Sequence, residues 1–178
     1  AQLARDYGLP LLDTGLLYRA VGVAVLAAGG QLDDEALAAR IAGTLDLSAL
    51  DVPAHRTREA GEAASQVAVH PAVRQALLEM QQAFASQSAG AVIDGRDIGT
   101  VIAPDAPAKL YVTATPEARA MRRWKQLVGQ GETVTYEDIL ADIHTRDARD
   151  SARADSPMVA APDAVLLDTT EMTIDAAF

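Results

Sequence analysis

The sequence predicts an α/β protein built on a parallel sheet. Short apolar runs alternate with stretches of helical periodicity, three of those runs end at an aspartate (Asp13, Asp94, Asp168), and a polar or glycine-bearing turn follows each. Strands that alternate with helices form parallel sheets, and their ligands sit beyond the carboxyl ends of the strands. A length of 178 residues, 49% of them hydrophobic, suffices for one or two compact lobes.

In chain order, residues 10–13 form an apolar run after Gly8, and residues 16–28 a helix opened by Asp13 or Thr14. Residues 34–42 read as a second helix and 44–50 as a short strand ahead of Pro53. Residues 58–69 and 71–85 have helical spacing, with Pro71 suited to a first helical turn. Residues 91–94, 109–113 and 164–168 read as buried strands. Between them lie helices at 116–128 and 136–153, joined by a turn-forming linker at 129–135.

Composition narrows the function. A net charge of -10 leaves no basic field to attract nucleic acid or an anionic membrane. The absence of cysteine excludes disulfides, thiolate metal sites and cysteine nucleophiles. The uncharged stretch 20–30 is shorter than the roughly 20 apolar residues that a bilayer requires. A cytoplasmic chain without nucleic-acid or membrane partners is expected. Its basic residues are thirteen Arg against only Lys109 and Lys125, a bias that a GC-rich coding sequence or a phosphate site would each produce. Position decides, because six of those arginines fall between residues 119 and 153.

Arg146, Arg149, Asp150 and Arg153 recur at i, i+3, i+4 and i+7 and share one helical face, as do Arg119, Arg122 and Arg123. A solvated face laced with ion pairs has the same pattern. Two such clusters flanking a short linker, however, have the form of a lid closing on a polyphosphate. The string VIDGRDIGTVI sets Asp94, Arg96 and Asp97 just past a strand, with Gly95 and Gly99 permitting close backbone approach, which marks a ligand-facing loop. LLDTGLLYR puts Asp13 and Thr14 at a helix N-terminus, with Tyr18 and Arg19 on its first turns, either as an ordinary cap or as an anion site. His55, His70 and His144 match no ligand motif, and Trp124 and Tyr136 read as packing within the lid.

Taken in order, LLDTGLLYRAVG, VIDGRDIGTVI, LYVTATPEARAMRRWKQL and RDARDSARADSP, followed by DAVLLDTT, resemble the bacterial cytidylate kinase family, the nucleoside monophosphate kinases that make CDP from CMP and ATP. The resemblance runs from Ala1 to Phe178. It implies a P-loop nucleoside monophosphate kinase core (residues 1–28, 91–118 and 156–178), a helical acceptor-binding insertion (29–90) and a lid (119–155). It implies phosphoryl transfer from ATP to CMP and dCMP with Mg2+ as cofactor, in a monomeric enzyme of pyrimidine nucleotide metabolism. Carried over motif by motif, it implies that Thr14, Tyr18, Arg19, Ser65 and Arg74 hold CMP, with Arg19 and Arg74 on its phosphate. It places Asp97 at cytosine, Asp150 at the ribose, and Arg146 and Arg153 at phosphate. Arg119, Arg122 and Arg123 become lid residues for the phosphates of ATP, with Arg122, Arg146, Arg153 and Asp94 as the catalytic set. Asp94 is placed like the acid that organises magnesium through water, so no residue binds metal directly, and residues 168–170 lie towards adenine.

The sequence departs from the family most conspicuously in one respect: no G-x-x-x-x-G-K loop occurs, and neither lysine follows a glycine. Residues 1–7 read as the second half of the helix that follows such a loop, and 173–178 as a helix scarcely begun. The expectation is a fragment of a longer reading frame, short of one interior strand whose loss exposes apolar faces and unpaired backbone groups. Glu79 and Gln82 stand where the family often carries basic residues. The alternatives are a non-catalytic nucleotide-binding relative, opposed by the lid arginines, and a UMP/CMP or adenylate kinase, opposed by the RD-x-RD-x-x-R and DGRD strings.

Overall fold

A computed structural model of the chain describes residues 1–46, 52, 54–152 and 158–178. The elements are α1 (Gln2–Asp6), β1 (Leu11–Asp13), α2 (Thr14–Ala27), α3 (Glu35–Gly43), α4 (Arg58–Val67), α5 (Pro71–Ala85), β2 (Val92–Asp94), β3 (Leu110–Thr113), α6 (Pro116–Gly129), α7 (Tyr136–Ala152), β4 (Val165–Asp168) and α8 (Ile174–Ala177). Four of these helix starts have a clear local cause. Asp34 accepts from the Leu37 N–H, Thr57 from Ala60 and Thr115 from Ala118, while Pro71 and Pro116 occupy first turns where no N–H is needed.

Both strand pairs are parallel, as the alternating pattern requires. β1 lies on β2 with Asp13 opposite Asp94, and β3 lies on β4 with Thr113 opposite Asp168. They form two separate pairs rather than one sheet. A groove lined by Ile93, Val112 and Ala161 separates them, so the strands expected to be buried expose Leu110 at 56% and Leu166 at 65%. Burial of a strand needs cover on both faces, which these residues lack among the described residues. The strand expected at 44–50 is corrected over 44–46. There the Thr44 hydroxyl donates back to the Arg40 and Ile41 carbonyls and closes α3, while residues 47–50 lie outside the described residues.

The main core joins Leu12 of β1, Leu17, Val21 and Val25 of α2, Ala38 and Ala42 of α3, Val67 of α4, and Val73 and Leu77 of α5. Each large side chain buried there contributes about 1.5–3 kcal/mol. At Gly22 a Cβ would stand 2.7 Å from the Ala63 Cβ, so α2 and α4 interlock at that glycine. Their adjacent faces, bearing Tyr18, Arg19 and Ser65, consequently line one cavity. The α6–α7 hairpin has its own small core of Ala120, Leu127 and Ile139, against which Trp124 and Tyr136 pack. The Trp124 indole N–H donates to the Val134 carbonyl at 3.1 Å, which confirms the packing role. Among the described residues no helix is long and apolar enough to cross a membrane.

Candidate active site

The carboxyl ends of β1 and β2, the first turns of α2, and the facing sides of α4, α5 and α7 enclose a pocket. It gathers Thr14, Tyr18, Arg19, Ser65, Arg74, Asp94, Asp97, Arg146 and Asp150, all anticipated from sequence. Arg96 also lines it. The sequence reading noted Arg96 in the DGRD loop without giving it a role, yet its guanidinium contacts Asp150 at 2.9 Å. Thr14 donates to the Asp94 carbonyl at 3.0 Å and ties the start of α2 to the end of β2. Gly95 makes that approach feasible, because a Cβ there would fall 2.3 Å from the Thr14 hydroxyl.

Charge is organised in two groups. Arg74 donates to Asp97 as a pair with side chains only 10% and 8% exposed, and the Arg74 guanidinium lies 5.9 Å from the Tyr18 ring centroid. Such burial suits a pair with good geometry, and loss of one partner leaves an uncompensated charge. The second group is Arg19, Arg96 and Arg146. Burial, followed by repulsion from Arg96, lowers the Arg146 guanidinium to about 10. Arg19 is lowered by burial and then by the neighbouring Arg123. Among the described residues Arg146 Nε has no hydrogen-bond partner and lies 3.8 Å from Asp150. Guanidiniums crowded in this way, against both burial and mutual repulsion, are chemically suited to a multiply charged anion.

The remaining expected residues lie elsewhere. Arg122 is outside the pocket and donates to the Thr169 hydroxyl and to the Thr169, Thr170 and Met172 carbonyls, holding the turn after β4. Arg119 forks onto Asp147 at 2.9 and 2.5 Å. Arg123 donates to the Arg56 and Thr57 carbonyls, and Arg19 to the His55 and Thr57 carbonyls, so two arginines from different helices share the Thr57 oxygen. Arg153 lies outside the described residues. Arg58 with Asp142 at 2.6 Å, and Arg149 with Glu62 at 2.7 Å, bridge α4 to α7. Neither Glu62 nor Arg58 carried a motif, and only spatial proximity reveals them.

Two carboxylates converge at the strand ends. Asp94 is held above the usual carboxylate range by the protein packed behind it and then by the Asp13 charge. Among the described residues no group of three His, Cys, Asp or Glu could hold a metal ion directly. The acidic pair nevertheless suits a hydrated divalent cation, which keeps several waters and takes only one or two carboxylates.

Comparison with known proteins identifies the family. The cytidylate kinase family model matches residues 1–177. The chain is 71% identical over 177 residues to a cytidylate kinase of Caulobacter vibrioides, covering 99% of this chain and 83% of that protein. It is 64% identical over 178 residues to a cytidylate kinase of a Caulobacter species, covering all of this chain and 82% of the relative. The corresponding protein of Xanthobacter autotrophicus is 62% identical over 177 residues, with 99% and 85% covered. These matches favour neither the UMP/CMP and adenylate kinase readings nor a binding-only relative. Likeness along nearly the whole chain, to the family model and to relatives 62–71% identical, establishes that this protein belongs to the cytidylate kinase family, enzymes that phosphorylate CMP with ATP.

Proposed function

We propose that the pocket is the CMP and dCMP site of this kinase, with its base end at Asp97, Arg74 and Ser65 and its phosphate end at Arg19, Arg96 and Arg146. The observation that carries this is the segregation of the buried Arg74–Asp97 pair from the crowded arginines. Because Arg74 is bound to Asp97, the two act at the same end, which moves Arg74 from the monophosphate to the base. The remaining Asp97 oxygen can accept from the cytosine amine, and Asp150, held by Arg96, is available to a ribose hydroxyl. Residues 119–155 serve as the lid over ATP, 29–90 as the acceptor insertion, and the rest as the core. Arg119 and Arg123 exchange their present partners for triphosphate oxygens, and Arg122 supports them by fixing the turn after β4.

Transfer of the γ-phosphoryl is in line and without a covalent intermediate, so the protein's part is positioning and charge neutralisation. Arg146 neutralises the equatorial oxygens, a role that Arg153 of the same RD-x-RD-x-x-R string would share. Mg2+, which offsets charge on the ATP phosphates, would be held through water by Asp94 and Asp13. The enzyme works as a cytoplasmic monomer. An ADP-release assay on the full-length protein, with CMP, dCMP, UMP and AMP as acceptors, tests the whole reading. Turnover of CMP and dCMP well above that of UMP and AMP is expected, and CMP binding without turnover would refute it.

The acid limb of the kcat/KM profile provides a second test. Asp94 must be ionised to hold the hydrated cation, and its carboxyl lies above the ordinary range. Activity therefore falls away at a higher pH than an unperturbed aspartate would allow. Because the folded state holds this proton more tightly than the unfolded state does, the associated stability is present at low pH and is lost as pH rises through the folded value. Asp13→Asn removes a like charge, so the acid limb is expected to move to lower pH. A limb that stays in place would show that the two strand-end carboxylates do not interact.

A further inference from the structure

Behind the base end of the pocket, Arg149 and Glu62 form a relay that ends on Ser65. Arg149 of α7 donates from one terminal nitrogen to Glu62 Oε1 at 2.7 Å and to Ser65 Oγ at 3.2 Å. Glu62 is braced in turn by Gln66 Nε2 at 3.0 Å, one turn further along α4. Ser65 is buried and lines the pocket, whereas Glu62 and Arg149 stand behind it. A guanidinium can only donate, so the Ser65 oxygen must act as acceptor towards Arg149. Among the described residues no other group receives the hydroxyl hydrogen, which is left for the pocket.

We infer that Arg149 is a positioning and specificity-determining residue: seated by Glu62, it fixes the Ser65 hydroxyl as a hydrogen-bond donor aimed at the base. Both bases carry an O2 acceptor, but at N3 cytosine offers an acceptor where uracil presents an N–H, and two donors cannot satisfy each other, so the discrimination is made at N3. The charge-assisted bond from Arg149 also polarises the hydroxyl and strengthens its donation. Arg149 acts wholly through Ser65 and touches no nucleotide. The inference rests on reading Ser65 as a base contact.

The test is calorimetric titration of CMP and UMP into the full-length protein, together with KM for ATP. Arg149→Met is expected to weaken CMP about tenfold and UMP less than about threefold, with KM for ATP unchanged. Arg149→Lys restores a donor and is expected to bring the CMP-to-UMP ratio back to within about threefold of the original. Ser65→Ala combined with Arg149→Met should bind CMP no more weakly than Ser65→Ala alone, a non-additivity that a tie between helices would not produce. If Arg149→Met fails to fold, Glu62→Gln replaces it and should narrow the same ratio. Equal losses for CMP and UMP, additive effects, or an unaltered ratio in Glu62→Gln would overturn the inference while leaving the base site intact. A Ser65→Ala protein that binds CMP normally would overturn both.

Discussion

Asp97→Ala weakens CMP binding by about a hundredfold, the equivalent of roughly 2.8 kcal/mol, and leaves ATP affinity within a factor of about three. Two effects add. The cytosine amine loses its carboxylate acceptor, and a hydrogen bond to a charged group contributes about 1.5–3 kcal/mol. Arg74 is also stranded, because its guanidinium is nearly buried and Asp97 is its partner there. Breaking a buried pair from one side costs about 3–5 kcal/mol of stability, so the melting temperature should fall as well. Asp97→Asn separates these contributions. Its amide oxygen can still accept from Arg74 while its NH2 turns to the base, where it meets the uracil carbonyl but not the cytosine amine, so the protein should stay folded while its preference for CMP over UMP narrows. Titration of CMP, UMP and ATP into both variants decides the matter, and equal losses for all three nucleotides would remove Asp97 from the base site.

Arg146→Met lowers kcat by about 10² to 10³ with a smaller change in KM, the loss typical of removing one preorganised donor from developing charge. The guanidinium is crowded by Arg96 and lowered to about 10 by burial first and that neighbour second. At neutral pH it is still charged, so folding carries an electrostatic penalty at every pH below that value, and the penalty disappears only above the ordinary arginine range. The Met variant should therefore melt at the same temperature or higher while turning over far more slowly, an exchange of stability for function seen where active sites store unfavourable charge. Arg146→Lys should not restore the rate, since an ammonium lacks the planar fork. A variant that loses stability and rate together would make Arg146 a structural residue.

Much of the pocket was legible in the chain because its residues follow strands. Thr14 after β1 and Asp97 after β2 are placed by the parallel topology, which brings strand carboxyl ends together whatever the intervening length. The clustering of Arg146 and Asp150 was legible for a different reason, helical periodicity, which holds inside any helix. Arg122 was less well read. Its spacing with Arg119 and Arg123 said that the three share a face, but not that the backbone carbonyls after β4 would occupy it.

The sequence by itself determined most of the strand and helix order, the α6–α7 hairpin, the family and most of the pocket's membership, because strand termini, caps and periodicity are local properties. Tertiary structure alone decided the pairings: Arg74 with Asp97, Arg96 with Asp150, and Arg149 with Glu62 and Ser65. Which arginine meets which acid depends on how α4, α5 and α7 close on the strand ends. That closure is set by non-local packing such as Gly22 against Ala63 and by the balance of burial against charge, and neither is written in the spacing of any single segment.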